Sequence, residues 1–175
     1  MKMTLLYLCT FFLAQTSVAM ADDPGKPLAP EEYFDFWLGE WNLHWYQPDS
    51  SKSTGYNRVV KILDGRVVQE NFVSHSQQQG IPLKGMSLSV YNGRTKKWHQ
   101  AWADNQGSYL NFIGRLEGDK RIFSTSRSGP DGRLIMYRMV FTDINQDSFT
   151  WNWEASEDDG ASWQLHWQIF YQRKR

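Results

Sequence analysis

The chain has 175 residues, 41% of them hydrophobic and 15% aromatic, a length and composition suited to one globular domain. Its 19 basic residues balance 19 acidic ones, so it lacks the basic field that DNA, RNA or an anionic membrane surface attracts. No nucleic-acid partner is expected.

Met1-Lys2-Met3 carries one positive charge, and the apolar run from Leu5 to Leu13 is too short to anchor a chain across a bilayer. Gln15-Thr16-Ser17 and Ala19-Met20-Ala21 follow, the latter with the small-x-small pattern that a signal peptidase reads. The pattern predicts a signal peptide over 1–21, cleaved after Ala21, and a periplasmic or secreted protein with no membrane span after cleavage. Cys9 falls inside this segment, and Leu6-Tyr7-Leu8 before it lacks the small residues of a lipoprotein cleavage site. The mature chain then has no cysteine, which excludes disulfides, thiolate zinc sites and cysteine nucleophiles.

Residues 22–30 are punctuated by Pro and Gly and read as a flexible lead-in to a single domain over 31–175. Glu31 to Leu38 places Tyr33 or Phe34 and Trp37 or Leu38 on one face, between Pro30 and Gly39, and predicts one or two helical turns. From Trp41 onward, short runs rich in β-favouring residues alternate with breaks such as Asp64-Gly65, Asn92-Gly93, Gly118-Asp119 and Asp158-Asp159-Gly160. The runs count to about ten strands, and no helical segment is available for parallel crossovers. An all-β, antiparallel, up-and-down barrel with a short N-terminal helical plug is the economical architecture, since closure removes exposed edges.

Alternation along the runs selects the inward faces. It predicts Trp41, Leu43 and Trp45 inward in the first strand, and Leu110, Phe112 and Leu116 in the sixth. The eighth contributes Ile135, Tyr137, Met139 and Phe141, the ninth Phe149, Trp151 and Trp153, and the last Trp163, Leu165, Trp167, Ile169 and Tyr171. The run from Tyr56 to Leu63 does not sort by this test.

Phe34-Asp35-Phe36-Trp37-Leu38-Gly39-Glu40-Trp41 resembles the opening of calycin (lipocalin-like) barrels, in which a short helix closes one end and Gly-x-Trp begins the first strand. It is most similar to an uncharacterised bacterial family with this opening, and the Trp98 to Asp104 strand and the Ser156 to Trp163 hairpin are similar to that family's other landmarks. The resemblance implies structural roles for Gly39 and Trp41, with Arg173 packed over the Trp41 face, where a guanidinium gains about 0.5–2 kcal/mol. Ser156 to Trp163 also fits the Asp-box pattern, Ser-x-Asp-x-Gly-x-x-Trp, known from sialidase propellers. Asp158 is expected to bond the turn, Gly160 to supply positive φ and Trp163 to pack beneath, a structural lock that by itself indicates no glycosidase.

All nine tryptophans lie beyond residue 21. They either line a cavity or fill the barrel. The first reading makes Trp45, Gln100, Trp102, Asp104, Tyr137, Trp151 and Trp153 candidate contacts to a small apolar or aromatic ligand, with Gln100 and Asp104 as polar anchors. Asp104 also suits capping of the Asn105-Gln106-Gly107 turn. His44, His99 and His166 fall on the outward parity, and no histidine pair has metal spacing, so no metal or cofactor is expected and haem is the disfavoured alternative. Glu70, Asp104 and Arg138 are the candidates for acid–base chemistry, and spacing does not place them together. The sequence therefore predicts an exported binding barrel, with a lipocalin-like isomerase or cyclase and a ligand-free interaction module as alternatives. Outward Tyr46 and Phe170 leave monomer and homodimer both open.

Overall fold

A computed structural model of the chain describes residues 28–78, 80–129 and 131–175. The expected signal peptide and most of the lead-in lie outside the described residues.

Two 3-10 turns, Pro30–Glu32 and Asp35–Trp37, precede ten strands. These are β1 (Gly39–Tyr46), β2 (Lys52–Ile62), β3 (Val67–Gln78), β4 (Ile81–Asn92), β5 (Lys97–Asp104), β6 (Tyr109–Glu117), β7 (Lys120–Ser128), β8 (Leu134–Thr142), β9 (Ser148–Ser156) and β10 (Gln164–Arg173). Each pairs antiparallel with its chain neighbour, and β1 pairs with β10 through Trp41↔Arg173 and Leu43↔Tyr171, which closes the barrel. The hairpin breaks use the chemistry their residues suggest: Asn92 Oδ1 accepts from the N–H of Arg94 and Thr95, and Leu63, Asp64 and Gly65 all take positive φ.

Alternation sorts most strands correctly because one face of each is desolvated and the other is wet. Trp41, Leu43, Trp45, Phe112, Met139, Phe141, Phe149, Ile169 and Tyr171 are buried. The unsorted second strand turns Gly55, Asn57 and Val59 inward, a set that no hydropathy pattern picks out.

Two inward assignments are corrected. Leu165 is 52% exposed, and Trp163 lies on the outer face against Arg138, whose guanidinium sits 3.8 Å from the Trp163 ring centre. The register explains both. Leu165 pairs with Glu154 while Trp167 pairs with Trp153, so β10 carries one extra residue there, and this bulge reverses which parity faces the interior.

The interior divides along the barrel axis. At one end the N-terminal turns insert a solid aromatic plug: Phe34 stacks on Phe123 at 4.4 Å and meets Trp98 edge-on at 5.0 Å, while Phe36 and Trp37 meet Phe149 and Phe141 edge-on at 5.4 and 5.1 Å. Hydrogen bonds from separate strands tie the plug in place, from Trp98 Nε1 to Pro30 O (2.7 Å), from Arg121 Nε to Tyr33 O (2.9 Å) and from Arg173 Nη1 to Leu38 O (2.8 Å). The same Arg173 guanidinium lies 4.1 Å from the Trp41 ring centre. Gly39, at φ +125°, leaves the room this needs, because a Cβ there would collide with the Arg173 guanidinium.

Candidate functional site

At the end opposite the plug the barrel is hollow, with a cavity of about 240 Å³. Indoles form its walls. Trp151 and Trp153 are successive inward residues of β9 and lie nearly parallel (8°), Trp167 of β10 stands edge-on to Trp151 at 5.7 Å, and Trp102 of β5 faces Phe72 of β3. Trp102 reaches the wall because Gly85 on β4 has no side chain: a Cβ at that position would overlap the indole. Glu70, Ile169 and Tyr171 lie deep in the cavity, and Asp104 sits at the mouth.

Asp104 is committed to structure. Its Oδ1 accepts from the N–H of Gln106 and Ser108, both at 3.0 Å, and its Oδ2 accepts from Trp102 Nε1 at 3.0 Å. Partial burial pulls its pKa upward, but the bonds from Trp102, Ser108 and Gln106 outweigh that and hold the carboxyl below its usual range. It thereby caps the β5–β6 turn and fixes the Trp102 ring in the wall.

Glu70 is the opposite case. It is buried on β3, with Oε1 accepting from Asn57 Nδ2 and Oε2 from Ser87 Oγ, both at 2.7 Å, and Asn57 Nδ2 also reaches Tyr171 Oη at 3.2 Å. Burial pushes its carboxyl up to about 7 despite those two bonds. Burial, together with the Glu70 charge, likewise raises the Tyr171 phenol well above its usual value. Gln100 completes the cluster by donating from Nε2 to Ser89 Oγ (3.0 Å) and Ser87 Oγ (3.3 Å). Asn57 Oδ1 and Gln100 Oε1 are buried without a hydrogen-bond partner.

A family profile described as a protein of unknown function, DUF1579, matches residues 26–173. The chain belongs to the DUF1579 family. Among solved structures, a redesigned β-barrel is similar at 10% identity and a TM-score of 0.42, covering 82% of this chain and 96% of its own. No curated protein matches.

In this DUF1579 barrel, four of the residues singled out by sequence, Trp102, Asp104, Trp151 and Trp153, line the cavity. The other three stand behind it. Tyr137 stacks on Trp153 at 5.4 Å, Trp45 meets Trp167 edge-on at 5.4 Å, and Gln100 lies under the polar floor. At the hairpin, Asp158 Oδ1 accepts from Ser162 N (2.9 Å) and Ser156 Oγ (2.7 Å), and Ser162 Oγ bonds Oδ2. The Ser162 bonds and that from Ser156 hold its carboxyl down at about 2. Gly160 takes φ +86°, and Trp163 Nε1 donates to Gly160 O at 3.1 Å.

The three acid–base candidates are separated: Glu70 is at the floor, Asp104 at the mouth, and Arg138 outside the barrel, paired with Glu154 at 2.6 Å. His44 stacks on Phe170 at 5.0 Å on the outer face, and His75 is exposed beside Thr54. Among the described residues, no group of three or more His, Cys, Asp or Glu side chains gathers as a metal site.

Sequence reasoning named Glu70 without giving it a place, and it passed over Asn57, Ser87 and Ser89. The signal for Glu70 was present in β3, where the carboxylate keeps step with Val68 and Phe72 on the apolar parity.

Proposed function

We propose that this chain is an exported, lipocalin-like barrel that binds a small apolar or aromatic molecule in its indole-walled cavity. The observation that carries the reading is the cavity itself. A barrel of about eight strands is just wide enough to be filled by side chains or to hold one small ligand, and this ten-stranded barrel packs one end solid and leaves about 240 Å³ between four tryptophans at the other. The up-and-down closure, the N-terminal plug and the Arg173–Trp41 pair support the lipocalin-like kinship. Lys2, the Leu5 to Leu13 run and Ala19-Met20-Ala21 support export.

The test is native mass spectrometry of gently purified protein, followed by denaturing extraction. A stoichiometric extra mass that disappears in Trp102→Ala or Trp153→Ala is the expected result. A clean unliganded mass, with no tryptophan-fluorescence response to apolar and aromatic compounds, overturns it. One observation favours a second reading, an isomerase- or cyclase-type enzyme: a carboxyl titrating at about 7 inside an apolar cavity is poised to exchange protons near neutrality. That reading expects Glu70→Gln to retain binding and lose turnover.

A further inference from the structure

The cavity has an electrostatic sign. Among the described residues that line it, the charged side chains are Glu70 and Asp104, and none is Lys, Arg or His. Of the cations on the inward parity of β7, Arg121 is bonded to Tyr33 O at the plug, and Arg127 is outside the lining, exposed, with its guanidinium 4.7 Å over the Tyr137 ring and bonded to Tyr137 Oη at 2.9 Å. The inward tyrosines of the neighbouring strands, Tyr91 against Trp98 and Tyr171 beside Asn57, bring no positive charge either. Indole faces carry the negative end of the ring quadrupole, so the walls favour a cation as the floor does.

The floor is rich in acceptors. Glu70 lines it and accepts from Asn57 and Ser87, and behind the lining Asn57 Oδ1 and Gln100 Oε1 of the same cluster are buried without a partner. A protonated amine brings three donors to this acceptor-rich floor, and a positive charge to a lining that holds none. A ligand carboxylate would bring further acceptors and a repelling charge.

We propose that the ligand is an apolar amine, its ammonium group seated against Glu70 and its body held between Trp102, Trp151, Trp153 and Trp167. This rests on the binding reading above and narrows it to one chemical class. Because burial raises the Glu70 carboxyl to about 7, and an ammonium beside it pulls it back down, binding releases a proton below neutrality. Amine affinity therefore rises with pH, by about tenfold between pH 6 and 8 for a carboxyl titrating near 7, while the affinity of a neutral ligand stays flat.

Calorimetric titration of the full chain with naphthylethylamine, naphthylethanol and naphthylacetate, which share one apolar skeleton, tests this. The amine is expected to bind at least tenfold more tightly than the other two. Glu70→Gln is expected to weaken the amine at least tenfold and the alcohol less than threefold. Should that variant fail to fold, the pH series on the unaltered protein carries the same decision. Equal affinities for amine and alcohol, tighter binding of the acid, or a flat pH profile for the amine overturns the amine assignment and leaves the binding barrel standing. Absence of binding by all three at millimolar concentration overturns both.

Discussion

Glu70 gives the barrel a pH dependence of a definite sign. Its ordinary carboxyl value is 4.5 and burial raises it to about 7, so between these values the unfolded chain releases a proton that the folded barrel keeps. Stability is therefore greatest below pH 4.5 for this group, declines through neutrality, and levels off above pH 7 with a loss on the order of 3 kcal/mol. Glu70→Gln keeps the same shape, its carbonyl able to accept from Asn57 and its amide to donate to Ser87 Oγ, and has nothing to ionise. The variant should be the more stable protein at pH 8 and should lose most of the slope between pH 5 and 7, as read from urea unfolding at both ends of that range. An unchanged slope in the variant would mean that Glu70 is solvated in the folded state. Part of this was legible beforehand, since a glutamate in step with Val68 and Phe72 is either an error of register or a buried acid. Its partners were not legible: Asn57 sits on β2 and Ser87 on β4, and neither strand shows an alternation that separates a buried polar residue from an exposed one.

Among the elements, turn chemistry and alternation were readable because they are local, whereas strand register was not. The β10 bulge shows the limit. Nothing in Trp163 to Tyr171 marks where the parity changes; the change appears only when Leu165 and Trp167 are set against Glu154 and Trp153 on the partner strand. The Asp-box turn ends just before the bulge and uses its own tryptophan outside the barrel, under Arg138. Gly85 is a second non-local feature. It lies mid-strand on β4, where glycine ordinarily weakens a sheet, and its value lies in the Trp102 indole that occupies its face. Gly85→Ala should displace that ring, cost about 1–3 kcal/mol from overpacking, and change the near-ultraviolet circular dichroism of the tryptophans. A variant with native stability and an unaltered spectrum would show that Trp102 does not rest there in solution.

At the scale of the whole molecule, the barrel places its solid aromatic packing and its cavity at opposite ends of its axis. Tryptophans are spread through the sequence, and composition does not distinguish those that fill the plug end from those that wall the cavity; that division depends on which strand ends the Phe34 to Trp37 turns close. Once they close one end, the cavity is left at the opposite one. The separation makes a paired prediction. Phe34 is fully buried against Phe123 and Trp98, so Phe34→Ala removes a core ring and should cost about 3–5 kcal/mol. Trp153 is only half-buried, between Tyr137 and Trp151 in the cavity wall, so Trp153→Ala should cost less stability. Affinity should rank the two variants the other way: the folded fraction of Phe34→Ala should bind within about twofold of the unaltered protein, and Trp153→Ala should lose binding, since a packed closed sheet confines repacking to the neighbours of the deleted side chain. Urea unfolding and calorimetry on the same samples measure both rankings. If Phe34→Ala loses affinity as completely as Trp153→Ala, the plug and the cavity act as one unit, and the mouth end is not an independent binding site.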